Sequence, residues 1–258
     1  MRKLKDIGIQ LIIPIIIVLA WHFTTTYTDT PSSILPSIAK VKKAFGGMVQ
    51  TGQLQEDLRI SFTRVTKGYA YSILFGGILG ILMGMFPVVK KLFGLITTVI
   101  RQIPMIAWIP LVILWCGIGE ESKIVIIVIA AFFPIMVNTL NGVESTPTGY
   151  IEVARLYKLG KIKTFAKVYL PHALPQMLVG LKLGLGVSWM AVVASELIAA
   201  TAGIGYRMSD ARSLMRSDIV IVCMLVIGLV GIIMDKGLSL LFKALTPWER
   251  RSGGKANG

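Results

Sequence analysis

Apolar residues in this chain come in long runs rather than in alternation with polar ones. Runs at residues 7–25, 68–88, 124–140, 176–200 and 219–241 carry almost no charge. A helix needs about 20 residues to cross about 30 Å of hydrocarbon, and each run is close to that length. A further stretch, 92–118, is broken by Arg101, Pro104 and Pro110. It reads as a surface segment up to Ile100 followed by a span. The pattern predicts an all-α membrane protein with six spans in a single domain, residues 1–258. The first run follows Arg2, Lys3 and Lys5 and has the outline of a secretory signal. No small-residue cleavage site follows it, and Trp21 and His22 end it, so a retained span is expected.

The intervals between runs differ in kind. In 26–67, Pro31 and Pro36 mark turns. Ile38, Val41, Ala44 and Phe45 then recur at helical spacing with Lys40, Lys42 and Lys43 opposite. Two readings fit: an amphipathic helix on the membrane surface, or a solvated loop helix. Two spans carry small residues four apart, Gly76, Gly80 and Gly84 in one and Gly180 and Gly184 in the other. Such stripes let another helix approach closely, within a subunit or between subunits. Residues 201–218 read as a loop.

Composition narrows the class. Of 258 residues, 54% are hydrophobic and 16% charged, against about 25% charged in soluble domains, and mean hydropathy is +0.73. A disordered chain, a disulfide scaffold and an ordinary soluble enzyme are excluded. The chain is also too short for the large two-repeat secondary transporters. Cys116 and Cys223 both fall in apolar runs, where they read as small buried hydrophobes.

Lys and Arg number 27 against 13 Asp and Glu, a net charge of +14. With the N-terminus on the cytoplasmic side, 15 basic residues fall on that side and 10 on the other. The short Lys90-Lys91 connection agrees with this, and Glu120-Glu121 suits the far side. Both termini are then expected in the cytoplasm, with the protein multi-pass in the cell (inner) membrane.

Five of the basic residues lie in one interval, 141–175, between the fourth and fifth spans. Thr148 or Glu152 suits a helix N-terminus there, and Lys158 and Gly160 suit its C-terminus by dipole and by left-handed conformation. A short basic helix follows, and Pro171 and Pro175 form a stiff entry into the fifth span. On physics alone, two readings stand. The helix is a docking knob for a soluble partner, or a surface helix whose lysines meet anionic lipid.

Polar groups at membrane depth are costly and mark interiors or pathways. Glu196 reads as a gate or as a hydrogen-bond partner between helices. Arg101, beside Gln102, either meets an anionic substrate or reaches lipid phosphate, and Lys182 can reach lipid in the same way. Trp108 and Trp115 line a path or pack. Asn138 is a further polar position in a span. His22 and His172 are too few and too far apart for a metal site. No Gly-x4-Gly-Lys-Ser/Thr occurs, so no ATP site of that kind is expected in this chain. No nucleophile elbow or paired acid and base stands out. The basic charge flanks the membrane, which argues against nucleic-acid binding.

Glu152-Val153-Ala154, then Gly160, then Leu170-Pro171 resemble the EAA loop of ABC importer permeases. The resemblance extends along nearly the whole chain. Gln102-Ile103-Pro104, the run 109–118, Phe133-Pro134 with Asn138-Thr139, Ala194-Ser195-Glu196, Gly203-Ile204-Gly205-Tyr206 and Asp210-Ala211-Arg212 are similar to the subgroup for aliphatic sulfonates, taurine, nitrate and bicarbonate. Among these the chain most resembles the aliphatic sulfonate permeases. One departure is plain: the family glycine falls six residues after the Glu, at Lys158 here, while Gly160 falls eight after.

The resemblance implies a six-span type I importer fold working as a pair of permease copies. It implies two cytoplasmic ATPase subunits, which hold the ATP and Mg, an external substrate-binding protein, and no cofactor or catalytic residue on this chain. The coupling loop would comprise Glu152, Val153, Ala154, Arg155, Tyr157, Lys158, Gly160, Leu170 and Pro171. The candidate path residues are Arg101, Gln102, Trp108, Asn138 and Glu196. Two rival classes remain: an ion-coupled secondary transporter, and an intramembrane enzyme, for which the chain offers only scattered groups.

Overall fold

A computed structural model of the protein describes residues 2–245, with side chains at 9–243. The basic tail with Arg250, Arg251 and Lys255 lies outside the described residues. Five helices are long and apolar enough to cross a membrane. They are α1 (Arg2–Tyr27), α3 (Gln53–Met85), α6 (Glu120–Glu144), α9 (Leu170–Ala199) and α11 (Ser217–Leu245). The sixth candidate crossing is a bent pair of helices. Helices α4 (Pro87–Ile100) and α5 (Met105–Cys116) meet at a 99° bend, where Pro104 stops continuous helix. At 12 residues, α5 rises only about 18 Å, so the third span is not a full-length helix of its own.

Three expected boundaries shift. Helix α3 starts at Gln53 rather than near residue 68, because Asp57 and Arg64 find partners inside the protein while Glu56 and Arg59 pair at the surface. The interval 201–218 is not simply a loop: it contains α10 (Ile204–Ser213). In 141–175, the chain forms α7 (Thr148–Leu156) and resumes helix at Lys161, in α8 (Lys161–Thr164), which runs through a π turn (Phe165–Tyr169) into α9. Pro171 lies just past that turn. A proline ring crowds the carbonyl four residues back, here that of Lys167, and the wider π turn makes room for it.

Helix α6 is the centre of the bundle, with α3 along one side and α9 along the other. Both seams are built on glycine. A Cβ at Gly76 would lie 2.8 Å from the Phe132 carbonyl, one at Gly80 2.6 Å from that of Met136, and one at Gly84 2.7 Å from Val143 Cβ. The ascending pairs make α3 and α6 parallel. A Cβ at Gly180 would meet Asn138 Cβ at 2.6 Å and one at Gly184 would meet Ile135 Cγ1 at 2.8 Å, while Gly142 faces the Ala173 carbonyl. These descending pairs make α9 antiparallel to α6. Both small-residue stripes thus meet α6 of their own chain.

The ends of the bundle are tied separately. At one end Lys90 pairs with Glu144 at 2.6 Å, and Lys161 Nζ lies 5.3 Å from the Phe86 ring centroid. At the other, α2 (Ile38–Gln50) packs on α11, with Val41 and Met48 buried. It is amphipathic, with Lys40, Lys42 and Lys43 on the outer side, and it is docked rather than free: Val41 and Met48 reach the core while Phe45 stays exposed. Trp21 Nε1 donates to the Pro36 carbonyl at 2.9 Å, which anchors the end of α1 there.

The glycine seams predict a graded pair of variants. Gly80→Val is expected to cost about 1–3 kcal/mol by overpacking, read as a lower melting temperature in detergent. Gly77→Ala, where an added Cβ meets nothing within 4 Å, should leave the melt unchanged. Equal losses in both would show that the seam is not the cause.

Candidate functional site

Helix α7 protrudes between α6 and α9 with its apolar side chains uncovered. Leu156 is 81% exposed, Tyr157 77% and Ile162 85%, and Tyr150 and Val153 are also exposed. Exposed apolar clusters of this kind mark interaction surfaces. Only Ala154 turns inward, beside a groove of about 630 Å³ lined in part by Leu159, Val168, Pro171 and His172. Glu152 and Arg155 are exposed mid-helix. Thr148 is the first helical residue, so Glu152 does not serve the N-terminus.

The end of α7 corrects a second assignment. Lys158, not Gly160, takes the left-handed conformation, with φ of 50°. Leu159 N donates to the Ala154 carbonyl at 3.0 Å and Lys158 N to that of Arg155 at 2.9 Å. This bond pair is a Schellman cap. Gly160, with φ −67°, precedes α8 instead. The turn geometry therefore falls six residues after Glu152, at the place where the family pattern has glycine, and a lysine adopts it.

At the opposite end a cluster of charges joins α3, α6, α9 and α10. The Glu196 side chain is 0% exposed and that of Arg64 4%. Arg64 Nη1 donates to Glu196 Oε1 at 2.8 Å and to the Ala202 carbonyl at 2.7 Å. Its Nε and Nη2 form a fork onto Glu120, with Nε 2.8 Å from Oε2. Ser61 Oγ donates to Glu196 at 2.8 Å and accepts from Ile204 N at 3.0 Å. Gly205 N donates to Glu196 Oε2 at 2.9 Å. Asp57 accepts from Gly203 N at 3.3 Å and from Arg207 Nε at 2.8 Å. Gly203 has φ of 110°, and a Cβ there would lie 2.5 Å from the Glu196 carboxyl carbon. Only glycine fits on both counts. Lys123 is buried and donates to the carbonyls of Ile118 and Gly119 at 2.8 and 2.9 Å.

The remaining candidate residues do not converge. Arg101 and Gln102 are exposed at the bend after α4. Trp108 packs against the core, while Trp115 is exposed. Asn138 accepts from Gln176 at 2.9 Å and donates to the Pro134 carbonyl. Lys182 pairs with Asp235 at 3.2 Å. Glu196 lies at the far end, among Asp57, Ser61, Arg64, Glu120 and Arg207, of which sequence reasoning named only Glu120, and that for its side of the membrane rather than for the site. Arg64 and Arg207 fall in the intervals 26–67 and 201–218, between the apolar runs. The uncharged run around Glu196, residues 183–206 apart from Glu196 itself, is the signal in the sequence that its charge needs a partner.

A helical bundle with five helices long and apolar enough to cross a membrane, and a sixth candidate crossing in the bent α4–α5 pair, defines a polytopic membrane protein. The chain belongs to the family of binding-protein-dependent transport system inner membrane components, which matches residues 72–251, and is an ABC importer permease. It is 38% identical to a putative ABC transporter permease protein of Methanocaldococcus jannaschii, over 95% of this chain and 94% of that one. It is 35% identical to the taurine transport system permease protein TauC of Escherichia coli, over 86% and 80%. Permeases named for aliphatic sulfonates and for nitrate match as well. The fold is that of type I importer permeases. The crystal structure of an amino acid ABC transporter with histidines superposes with a TM-score of 0.61, covering 80% of this chain and 98% of that one at 18% identity.

Two variants test the site chemistry. Arg64→Met strands a buried carboxylate and should cost about 3–5 kcal/mol. Adding Glu196→Gln removes the stranded charge while keeping hydrogen-bonding capacity, so the double variant should melt higher than Arg64→Met alone. Additive losses would show that the two side chains are not coupled. Lys158→Gly should relieve a left-handed lysine, partly offset by unfolded-chain entropy, for a net gain of about 0.5 kcal/mol. Slower hydrogen exchange at the Leu159 amide, by about twofold, is the readout.

Proposed function

We propose that this permease imports a small sulfonate-bearing organic anion, with aliphatic sulfonates first among them. Two copies form the pathway, two cytoplasmic ATPase subunits supply the energy, and an external binding protein delivers the anion. ATP and Mg belong to the ATPase subunits. The observation that carries the coupling reading is the uncovered apolar face of α7, with Leu156, Tyr157 and Val153 outermost.

The handle is fixed to both central helices. Gly142 of α6 lies against Ala173 of α9 with no room for a Cβ, and the Lys90–Glu144 pair ties α4 to the end of α6. A push on α7 is therefore carried into α6 and α9 together. In this reading the residues that meet the ATPase are Glu152, Val153, Arg155, Leu156 and Tyr157, with Lys158, Gly160, Leu170 and Pro171 shaping the turn behind them. The α7 end carries Lys90, Lys91 and the loop lysines, which favours the cytoplasmic side for that end. Sulfonate is supported by the relatives named for taurine and aliphatic sulfonates, and nitrate and bicarbonate are the competing anions. For anion contact within the chain we favour Arg101, exposed at the break between α4 and α5.

Reconstitution in proteoliposomes tests the whole reading. With its ATPase and binding protein, the chain should accumulate radiolabelled ethanesulfonate only with ATP, and taurine, nitrate or bicarbonate should compete less well. Leu156→Asp should abolish co-purification of the ATPase and cut uptake at least tenfold. Uptake by the chain alone under a proton or sodium gradient would establish a secondary transporter instead. Full uptake by Leu156→Asp would remove α7 from the coupling path.

A further inference from the structure

The apolar cleft between α1, α2 and α11 is not filled by the chain. Trp21 of α1, Ile38, Val41 and Phe45 of α2, and Leu225 and Leu229 of α11 line an open groove of about 310 Å³. From residue 222 to residue 229 the groove follows α11 for two helical turns, about 10 Å along a membrane-crossing helix. None of the most apolar window of α1 is buried. Helix α1 is held near its end by the Trp21–Pro36 bond, and among the described residues it makes no extended packing with α11.

One charged group reaches the groove. Lys42, on the exposed side of α2, sits at its rim, and no ion pair involves it among the described residues. Lys40 and Lys43 contribute instead to a separate polar hollow with Ser33 and Arg216. A slot lined by hydrocarbon, running along a spanning helix and topped by one uncompensated cation, matches the two ends of a phospholipid. The groove begins at Val222, in the second turn of α11, and a lysine near the end of a spanning helix attracts anionic lipid. Trp21 lines the same groove, and tryptophan is enriched at membrane interfaces.

We propose that the α1–α2–α11 groove is a binding site for one anionic phospholipid. An acyl chain lies between α1 and α11, and the phosphate is held by Lys42. The lipid completes the packing of α1, which the protein alone leaves open, and makes attachment of the first span sensitive to membrane composition. The site is independent of which side of the membrane α2 occupies, and independent of the transported anion.

The test uses the full chain in nanodiscs with equal phosphatidylglycerol and phosphatidylcholine, followed by native mass spectrometry. The wild type should retain one lipid, with phosphatidylglycerol favoured about tenfold. Lys42→Glu should abolish the preference, whereas Lys40→Glu with Lys43→Glu should leave it intact. Leu225→Trp, at an exposed position lining the groove, should lower retention of both lipids by filling the slot. No retained lipid, an unchanged preference in Lys42→Glu, or loss of preference only in the Lys40/Lys43 variant would overturn the proposal. So would efficient disulfide crosslinking of two chains through Leu225→Cys, which would mean that a second copy covers the groove.

Discussion

A carboxylate with no exposed surface, Glu196, has to be matched by donors before α9 can end where it does. The match comes from three directions: the Arg64 guanidinium and Ser61 hydroxyl of α3, and the Gly205 amide of α10. Arg64 in turn needs Glu120 and the Ala202 carbonyl to use its remaining donors. A buried charge left unpartnered costs several kcal/mol, so the start of α6, the first turns of α3, the end of α9 and the whole of α10 are placed relative to one another by a single set of bonds. The tight turn at Gly203 follows, because the carboxylate occupies the space that any side chain there would need.

From that end the bundle runs to the α7 end along seams where glycines leave no room for a side chain of their own. Glycines of α3 and α9 bring backbone against α6. Contacts of that kind are stiff: a displacement at one end of α6 cannot be absorbed by rotamer changes along its flanks. The apolar handle and the charge cluster are therefore opposite ends of one rigid unit made of α3, α6 and α9. Helix α1 is outside that unit, joined among the described residues by the Trp21 indole bond and bordering an apolar groove, and the contrast between the two parts is the main mechanical feature of the subunit.

Much of this was legible from residues alone where burial means lipid. Runs of Ile, Val and Leu located the crossings, and Glu152, Leu170 and Pro171 marked the protruding loop. The misplacements share a cause. Asp57 and Arg64 look like loop residues because charge normally stays in water. In the structure they are satisfied by partners more than a hundred residues away in sequence, which no local pattern reports. Lys158 was passed over for the left-handed turn because glycine adopts that conformation at lower cost. The signal that finds it is the pair of capping bonds, a property of the backbone path.

What the sequence determined by itself was the apolar runs able to cross a membrane, the two glycine stripes and the site of the handle, since each follows from hydrophobicity or residue size over a few turns. What only the tertiary structure decided was which helix the glycines meet, that the third candidate crossing is a bent pair of helices, and that scattered charges form one buried cluster. Those outcomes depend on pairing between distant segments. A buried charge or a bare backbone seam is stable only when a specific partner is present, and the identity of the partner is set by the three-dimensional path of the chain.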